Sequence, residues 1–348
     1  SYLSYTPIRE NVWKEMHTIF QLAHQKGFTG VEIKDVADSR KHLKILDIYL
    51  FALLLGLSEP YGLPNGSLYI LIPYFHIWIG YLSLFDKNNL EGLRYTYRID
   101  PDIDKPFLPF PEAQPEGKIY VTTDALIHEM LGPNPPFFPT NTDDADDAEE
   151  SYLLFKRAFL PKRITSWTNY PIRRYQRNSA SGEIELLTGY KDVICMMKQG
   201  KEKVSVKDKK KLQLWKVEND SATGLGIKYH GHEVKSVSVG GLVLYRTEKM
   251  KEENVWVTGI IRRFNQVGRS SLSMGLQRLP PDSHTGKLMQ DTGDDKDSKL
   301  ILMYPENALL NSESTLIAPP GTFNPGTKFR VRWPMFFHRF LCTKLAND

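Results

Sequence analysis

The sequence predicts an α+β multidomain protein, in which an N-terminal helical module precedes an antiparallel β-barrel or sandwich and a C-terminal β extension. Three observations predict this order. Apolar residues recur at helical spacing near the N-terminus, a proline and acidic cluster follows residue 132, and short runs of β-forming residues dominate from about residue 183. The 348 residues suffice for two or three domains.

The N-terminal module, residues 1–132, is expected to be mainly helical with a mixed tail. Residues 8–25 carry an apolar stripe that predicts a first helix. Asp38 and Ser39 are candidate caps of a second helix through HLKILDIYLFALLLGL, and a third is expected within residues 67–85. That stretch is apolar over 19 residues, but it contains a proline and lacks basic flanks. We therefore expect buried helices and no transmembrane segment.

The second half of the chain is expected to be mainly β-structure. Residues 133–160 are interpreted as a Pro-rich, acidic linker, residues 161–280 as the barrel and residues 281–348 as the β extension. Short apolar runs separated by turn or charged residues are typical of antiparallel strands. In the barrel they are EIELL, DVICMM, LQLWKV, GLGIKY, GLVLYR, VWVTGIIRRF and SLSMGLQRL; KLILMY, STLIA and KFRVRW continue the pattern.

Composition and motifs argue against several classes of function. The net charge of +4, from 45 basic and 41 acidic residues, is too small to favour bulk nucleic-acid binding. With only Cys195 and Cys342 we expect no disulfide framework and no zinc site, and a cytoplasmic location is the simpler expectation. Because no phosphate-binding glycine loop or nucleophile motif is present, we expect neither an enzyme nor a cofactor.

Three arginines are crowded into the segment NYPIRRYQR, at Arg173, Arg174 and Arg177. The proline before them favours an extended or turn backbone, in which Arg173 and Arg177 point to one side and Arg174 to the other. Guanidinium groups bind phosphate or the guanine edge through paired hydrogen bonds. The segment is therefore a candidate anion site, and a solvated basic loop is the alternative.

A polar turn follows 42 positions after Arg177, in WKVENDSATGLGIKYHG. It holds Asn219, Ser221 and Gly224 at the spacing N-x-S-x-x-G. Gly224 and Gly226 would let a planar ligand approach the backbone. A plain turn is the alternative, because these residue types favour turns anyway. The similar stretch SVSVGG lacks Asp or Asn at its first position, so it is not preferred.

In this order, RRYQR and NDSATG resemble the two motifs of the PilZ domain, R-x-x-x-R and then (D/N)-x-S-x-x-G. Arg173 and Arg177 match the first motif, and Asn219, Ser221 and Gly224 match the second. VWVTGIIRRF and LSMGLQRL also resemble later PilZ strands, so the resemblance covers roughly the assigned barrel. The stretch YLFALLLGLSEPYGLPNGSLYIL resembles the helical module that precedes PilZ in a group of longer proteobacterial proteins.

The resemblance implies a small antiparallel barrel that binds the bacterial second messenger cyclic di-GMP. It implies a non-enzymatic effector that couples this ligand to a conformational change or to an unidentified protein partner. The gap between the motifs is longer than is usual for PilZ. The ligand-binding residues it implies are Arg173, Arg174, Arg177, Asn219, Ser221 and Gly224.

Three alternatives remain open. A degenerate PilZ barrel would act as a protein-interaction module that binds no nucleotide. An OB-like barrel would bind single-stranded nucleic acid, because aromatic residues interleave with arginines over residues 163–175. His230 and His232, beside Glu233, would ligate a metal, although no third ligand has a suitable spacing.

Overall fold

A computed structural model of the chain comprises two compact units, Ser1–Arg173 and Arg174–Ala346. The structure describes residues 8–34, 42–63, 67–85, 91–110, 118–132, 160–168, 175–198, 212–231, 237–253, 255–266, 271–280, 283–290, 298–304, 315–319, 322, 328–332 and 337–341.

The first unit is mainly helical, as predicted, with a small antiparallel sheet of order β3-β6-β4-β5 and a separate β1–β2 pair. Short 3₁₀ turns follow α2 and α3. Its elements are α1 Val12–Gln25, β1 Glu32–Lys34, β2 His42–Lys44, α2 Ile45–Leu57, α3 Ser67–Trp78, β3 Ser83–Phe85, β4 Thr96–Ile99, β5 Leu108–Pro109, β6 Ile119–Thr122, α4 Asp124–Leu131 and α5 Leu160–Thr168.

The apolar helices α2 and α3 form the centre of this unit's core. Leu53 and Leu54 of α2 and Phe75 and Trp78 of α3 are fully buried in one cluster. All residues of α2 except Ile48 are buried or half-buried, which explains why this helix is apolar nearly all round, whereas α3 exposes Tyr69, Pro73 and His76 on one side. None of the helices within the described ranges is long and apolar enough to span a membrane.

Polar contacts hold α1 against this core. The Asp104 carboxylate accepts hydrogen bonds from two backbone N–H groups at the start of α1, at 2.7 and 3.0 Å. The His17 ring is buried between the Tyr49 hydroxyl, at 2.7 Å, and the Lys105 carbonyl, at 2.8 Å. Burial lowers the pKa of His17, because desolvation disfavours the charged ring.

Helix α5 also belongs to the first unit. The Trp167 indole N–H donates to the Ser58 hydroxyl at 3.1 Å, and its ring packs edge-on against Trp78. The Arg163 guanidinium is buried and donates to the Ser58 carbonyl, and desolvation lowers its pKa. These contacts place α5 with the helical core, although the sequence grouped this segment with the barrel.

The second unit contains the barrel and a five-stranded antiparallel sheet of order β16-β15-β14-β17-β18. Its elements are β7 Asn178–Ser179, β8 Glu183–Thr188, α6 Tyr190–Lys198, β9 Gln213–Ser221, β10 Gly224–His230, β11 Leu242–Thr247, α7 Glu248–Glu252, β12 Val257–Gln266, β13 Ser271–Arg278, β14 His284–Gln290, β15 Lys299–Tyr304, β16 Thr315–Ile317, β17 Lys328–Arg332 and β18 Phe337–Leu341.

Six antiparallel strands close into a barrel in the order β8-β9-β10-β13-β12-β11, because β11 pairs back with β8. Alternate residues of these strands, among them Trp215, Ile227 and Tyr245, fill its core. The two-residue strand β7 lies outside this ring and continues the line of β8 along one side of β9. The predicted antiparallel barrel is confirmed, and the closed ring excludes the sandwich.

Two predicted elements differ from the structure. The run DVICMM forms most of α6 and not a strand, because Val193, Ile194 and Met196 bury one face of a helix against β8, β11 and the C-terminal sheet. The residues HLK form β2, paired with β1, and α2 begins only at Ile45. The candidate caps Asp38 and Ser39 lie outside the described residues.

Candidate ligand-binding site on the barrel

The polar turn joins β9 to β10, and we call residues 219–224 the polar hairpin. Ser221 pairs with Gly224 across it, and Asn219 pairs with Gly226. The Ser221 hydroxyl donates to the Gly224 carbonyl at 3.1 Å, which closes the turn. The residues of the second predicted motif therefore lie together.

A bulge in β9 turns Asn219 away from the barrel core. Val217 pairs with Ile227, but Asn219 pairs with Gly226, so Glu218 is an extra residue. One extra residue reverses which face the following side chains occupy. The Asn219 side chain consequently lies on the outer face over Gly226, where an added Cβ would stand 2.6 Å from its amide.

A second bulge places a basic side chain on the same outer face. In β12 Arg262 is the extra residue, so Arg263 lies opposite Gly275. A Cβ on Gly275 would stand 2.7 Å from Arg263 Cγ, so this side chain lies over the glycine. Gly275 in turn pairs with Gly226. The two glycines form what we call the glycine floor, with Asn219 on one side and Arg263 on the other.

Strand β7 brings Arg177 to the end of β9. Asn178 pairs with Asp220, and Ser179 pairs with Asn219. Arg177 directly precedes β7 and is half-buried, so it reaches the end of β9 that carries the polar hairpin. Strand β8 and helix α6 occupy part of the long gap, which therefore does not separate Arg177 from the second motif.

The remaining predicted candidates are two arginines, two histidines and a glutamate. Arg173 and Arg174 lie outside the described residues, as do His232 and Glu233. His230 is exposed at the end of β10. Within the described ranges, no group of three His, Cys, Asp or Glu side chains is placed to hold a metal ion.

The polar groups around the glycine floor suit a ligand with both acceptors and donors. The Asn219 Oδ1 atom is buried and accepts no hydrogen bond from the described residues. Such an acceptor costs about 1–3 kcal/mol unless a donor reaches it. Arg262 donates to the Gln277 amide oxygen at 2.5 Å, beside Gly224. A planar group with N–H donors and an attached anion would therefore match this face.

The sequence motifs do not include Gly275, Arg263 or Arg278, although Arg278 donates to the Asp220 carboxylate and the Ser221 carbonyl of the polar hairpin. All three lie within VWVTGIIRRF and LSMGLQRL, which the sequence marks only as strands. Their arrival at the polar hairpin depends on β12–β13 and β10–β13 pairing, which is long-range in sequence. Gly275 itself is a signal that the sequence offers, because a glycine inside a strand often marks a place where another group approaches the backbone closely.

Comparisons with known proteins point to one named receptor. Residues 1–87, which include α1, α2 and α3, match the family described as the N-terminal domain of the cyclic-di-GMP receptor FimW. The cyclic-di-GMP receptor FimW of Pseudomonas aeruginosa is 25% identical to this chain over 198 residues. The match covers 53% of this chain and 30% of that protein, so the chain spans less than a third of its relative's length.

Proposed function

We propose that this chain is a cyclic di-GMP receptor whose ligand binds on the outer face of the barrel. The observation that carries the proposal is the pairing of β7 with β9, which brings Arg177 to the polar hairpin. The similarity to a protein described as a cyclic-di-GMP receptor supports the same ligand. The closed antiparallel barrel and the order of the two motifs support a PilZ-type domain.

The chemistry of the ligand matches the groups on this face. Guanine O6 and N7 accept hydrogen bonds, and its ring and exocyclic N–H groups donate them. Arginine forks bind phosphate or O6 and N7, and we expect Asn219 Oδ1 to accept a hydrogen bond from the base. The glycine floor lets the side chains of Asn219 and Arg263 lie against the backbone, where a planar base would meet them. The proposed ligand-binding residues are Arg173, Arg174, Arg177, Asn219, Ser221 and Gly224.

The proposed output is a conformational change or a protein interaction that follows ligand binding. Trp167 holds α5 in the first unit, and β7 pairs with the barrel of the second. The chain passes from one unit to the other through residues 169–174, which contain Arg173 and Arg174. A ligand held by these arginines acts directly on that covalent connection. This role requires no catalytic group, so we propose a non-enzymatic receptor.

Isothermal titration calorimetry with the intact chain tests the proposal. We expect the wild type to bind cyclic di-GMP, and Arg177→Ala to weaken binding by about tenfold to a hundredfold, the value of a charged hydrogen bond. The control Arg94→Ala, which removes an exposed arginine of the first unit, should leave affinity unchanged. Cyclic di-AMP, which has the same phosphates but no guanine, should bind much more weakly.

Two results would contradict the proposal. Absence of binding heat, together with no thermal shift on adding cyclic di-GMP, would favour the interaction module that binds no nucleotide. A ligand at 100 times its Kd should stabilise the folded protein by about 2.7 kcal/mol, so a shift is measurable. Equal losses of affinity in Arg177→Ala and Arg94→Ala would show that the ligand is bound only by unspecific attraction between charges.

A further inference from the structure

Arg278, the last residue of β13, contacts the polar hairpin from the strand that neighbours β10. Its Nη1 donates to the Ser221 carbonyl at 3.0 Å, and its Nη2 donates to Asp220 Oδ1 at 2.6 Å. Its backbone N–H donates to the Thr223 carbonyl at 2.8 Å. One residue from a neighbouring strand therefore binds three residues of the hairpin.

The guanidinium is itself fixed from the core side. Arg278 Nε donates to the Tyr245 hydroxyl at 3.0 Å, and Tyr245 is fully buried in the barrel core. Burial disfavours the charged form of Arg278, but Tyr245 and Asp220 outweigh it, so the pKa of the guanidinium is raised. The side chain stays charged and is oriented from both ends.

These contacts control the part of the hairpin that would meet a ligand. Asp220 lies between Asn219 and Ser221, and the loop that joins β9 to β10 has only residues 222 and 223. The hydrogen bonds to the Ser221 and Thr223 carbonyls fix the peptide planes that follow these two residues, and the hydrogen bond to the Asp220 carboxylate holds the residue before Ser221. The direction in which the side chains of Asn219 and Ser221 leave the backbone on the outer face then follows from this fixed backbone.

We infer that Arg278 is a positioning residue for the ligand: it holds the polar hairpin in the geometry in which Asn219 and Ser221 meet a guanine. The inference rests on the proposed function. Arg278 acts through Asp220 and Ser221, and Tyr245 orients it. An arginine outside both sequence motifs thereby sets the affinity with which the second motif binds the ligand.

Two substitutions separate positioning from simple charge attraction. Asp220→Asn removes a negative charge near a dianionic ligand, so charge attraction alone predicts equal or tighter binding. Positioning predicts weaker binding, because the amide oxygen of asparagine accepts from Arg278 less strongly than the carboxylate does. Arg278→Lys keeps the positive charge but cannot bridge three acceptors, because lysine lacks the planar fork. We expect each variant to bind cyclic di-GMP about tenfold more weakly than the wild type.

The control is Arg246→Lys. Arg246 forms a comparable ion pair with Glu185 at 2.7 Å and lies over the Trp256 ring in the same barrel. It should lower thermal stability without changing affinity. Amide hydrogen exchange of residues 221–224 in the ligand-free protein provides a second readout. Exchange there should become faster in Asp220→Asn and Arg278→Lys, but not in the control.

The outcomes distinguish this inference from the proposed function. If the wild type binds cyclic di-GMP but Asp220→Asn binds as tightly, with unchanged exchange at the hairpin, the inference is overturned and the receptor proposal stands. If the wild type does not bind, both are overturned. Weaker binding and faster exchange in both variants, with unchanged affinity and hairpin exchange in Arg246→Lys, support the positioning role.

Discussion

Replacing Gly226 with alanine tests the glycine floor with a single methyl group. The added Cβ would stand 2.6 Å from the Asn219 amide, and its three nearest atoms all belong to that side chain. Asparagine is short and can rotate, so the side chain moves and the backbone stays in place. The same methyl group would move Asn219 out of the position in which we expect it to meet the base.

The expected effect is a clear loss of affinity with little change in stability. In a strand, alanine is favoured over glycine by about 0.5–1 kcal/mol, which offsets much of the cost of rotating Asn219. A lost neutral hydrogen bond to guanine costs about 0.5–1.5 kcal/mol, or roughly twofold to tenfold in Kd. The free energy of unfolding should therefore change by less than about 1 kcal/mol.

Calorimetry with cyclic di-GMP and urea denaturation measure the two quantities. The double variant Asn219→Ala/Gly226→Ala is the internal control. If the methyl group acts by displacing Asn219, it should add little to the loss caused by Asn219→Ala alone. Wild-type affinity in Gly226→Ala, for a ligand that the wild type binds, would refute the placement of the ligand on the floor.

Gly224→Ala provides the contrasting case. Its Cβ would stand 2.5 Å from the Leu276 carbonyl oxygen, which is backbone and cannot rotate away. Both the affinity for cyclic di-GMP and the free energy of unfolding should fall. A fall in affinity alone would show that the hairpin shifts without disturbing β13.

Two further predictions concern the first unit. Trp167→Ala should lower the free energy of unfolding by about 3–5 kcal/mol in urea denaturation, because the ring is fully buried; Trp167→Phe keeps most of the packing, so equal losses would contradict this. Burial lowers the pKa of His17 below 6.5, so the unfolded state binds the proton more tightly. The contribution of His17 to stability is therefore complete above about pH 6.5 and is lost as the pH falls below it. His17→Gln should reduce this pH dependence, and an unchanged dependence would argue against the assignment.

The barrel could be predicted because most of its strands are marked locally. Runs such as GLVLYR and LQLWKV contain β-forming residues between turn or charged residues, and they form β11 and β9. The run DVICMM has a similar composition but forms α6. Val193, Ile194 and Met196 fit one face of a short helix as well as a strand, and packing against two β-sheets decides between them.

The candidate site was predictable only where its geometry is local. Ser221 and Gly224 close one turn, so their spacing alone places them together. The approach of Arg177 depends on strand register across 42 positions, which no local pattern records. Simple alternation from Trp215 and Val217 would place Asn219 in the core, and only the extra residue in β9 reverses this.

Because β7 lies outside the closed ring, its pairing with β9 can be lost without opening the barrel. Asn178 and Ser179 are exposed, so detaching β7 uncovers no apolar core and leaves all six ring strands paired. The backbone hydrogen bonds between β7 and β9 contribute to holding it, and each is worth about 0.5–1.5 kcal/mol net. Contacts of Arg177 with the proposed dianionic ligand would have free energies of similar magnitude, so ligand binding and the pairing of β7 would influence each other.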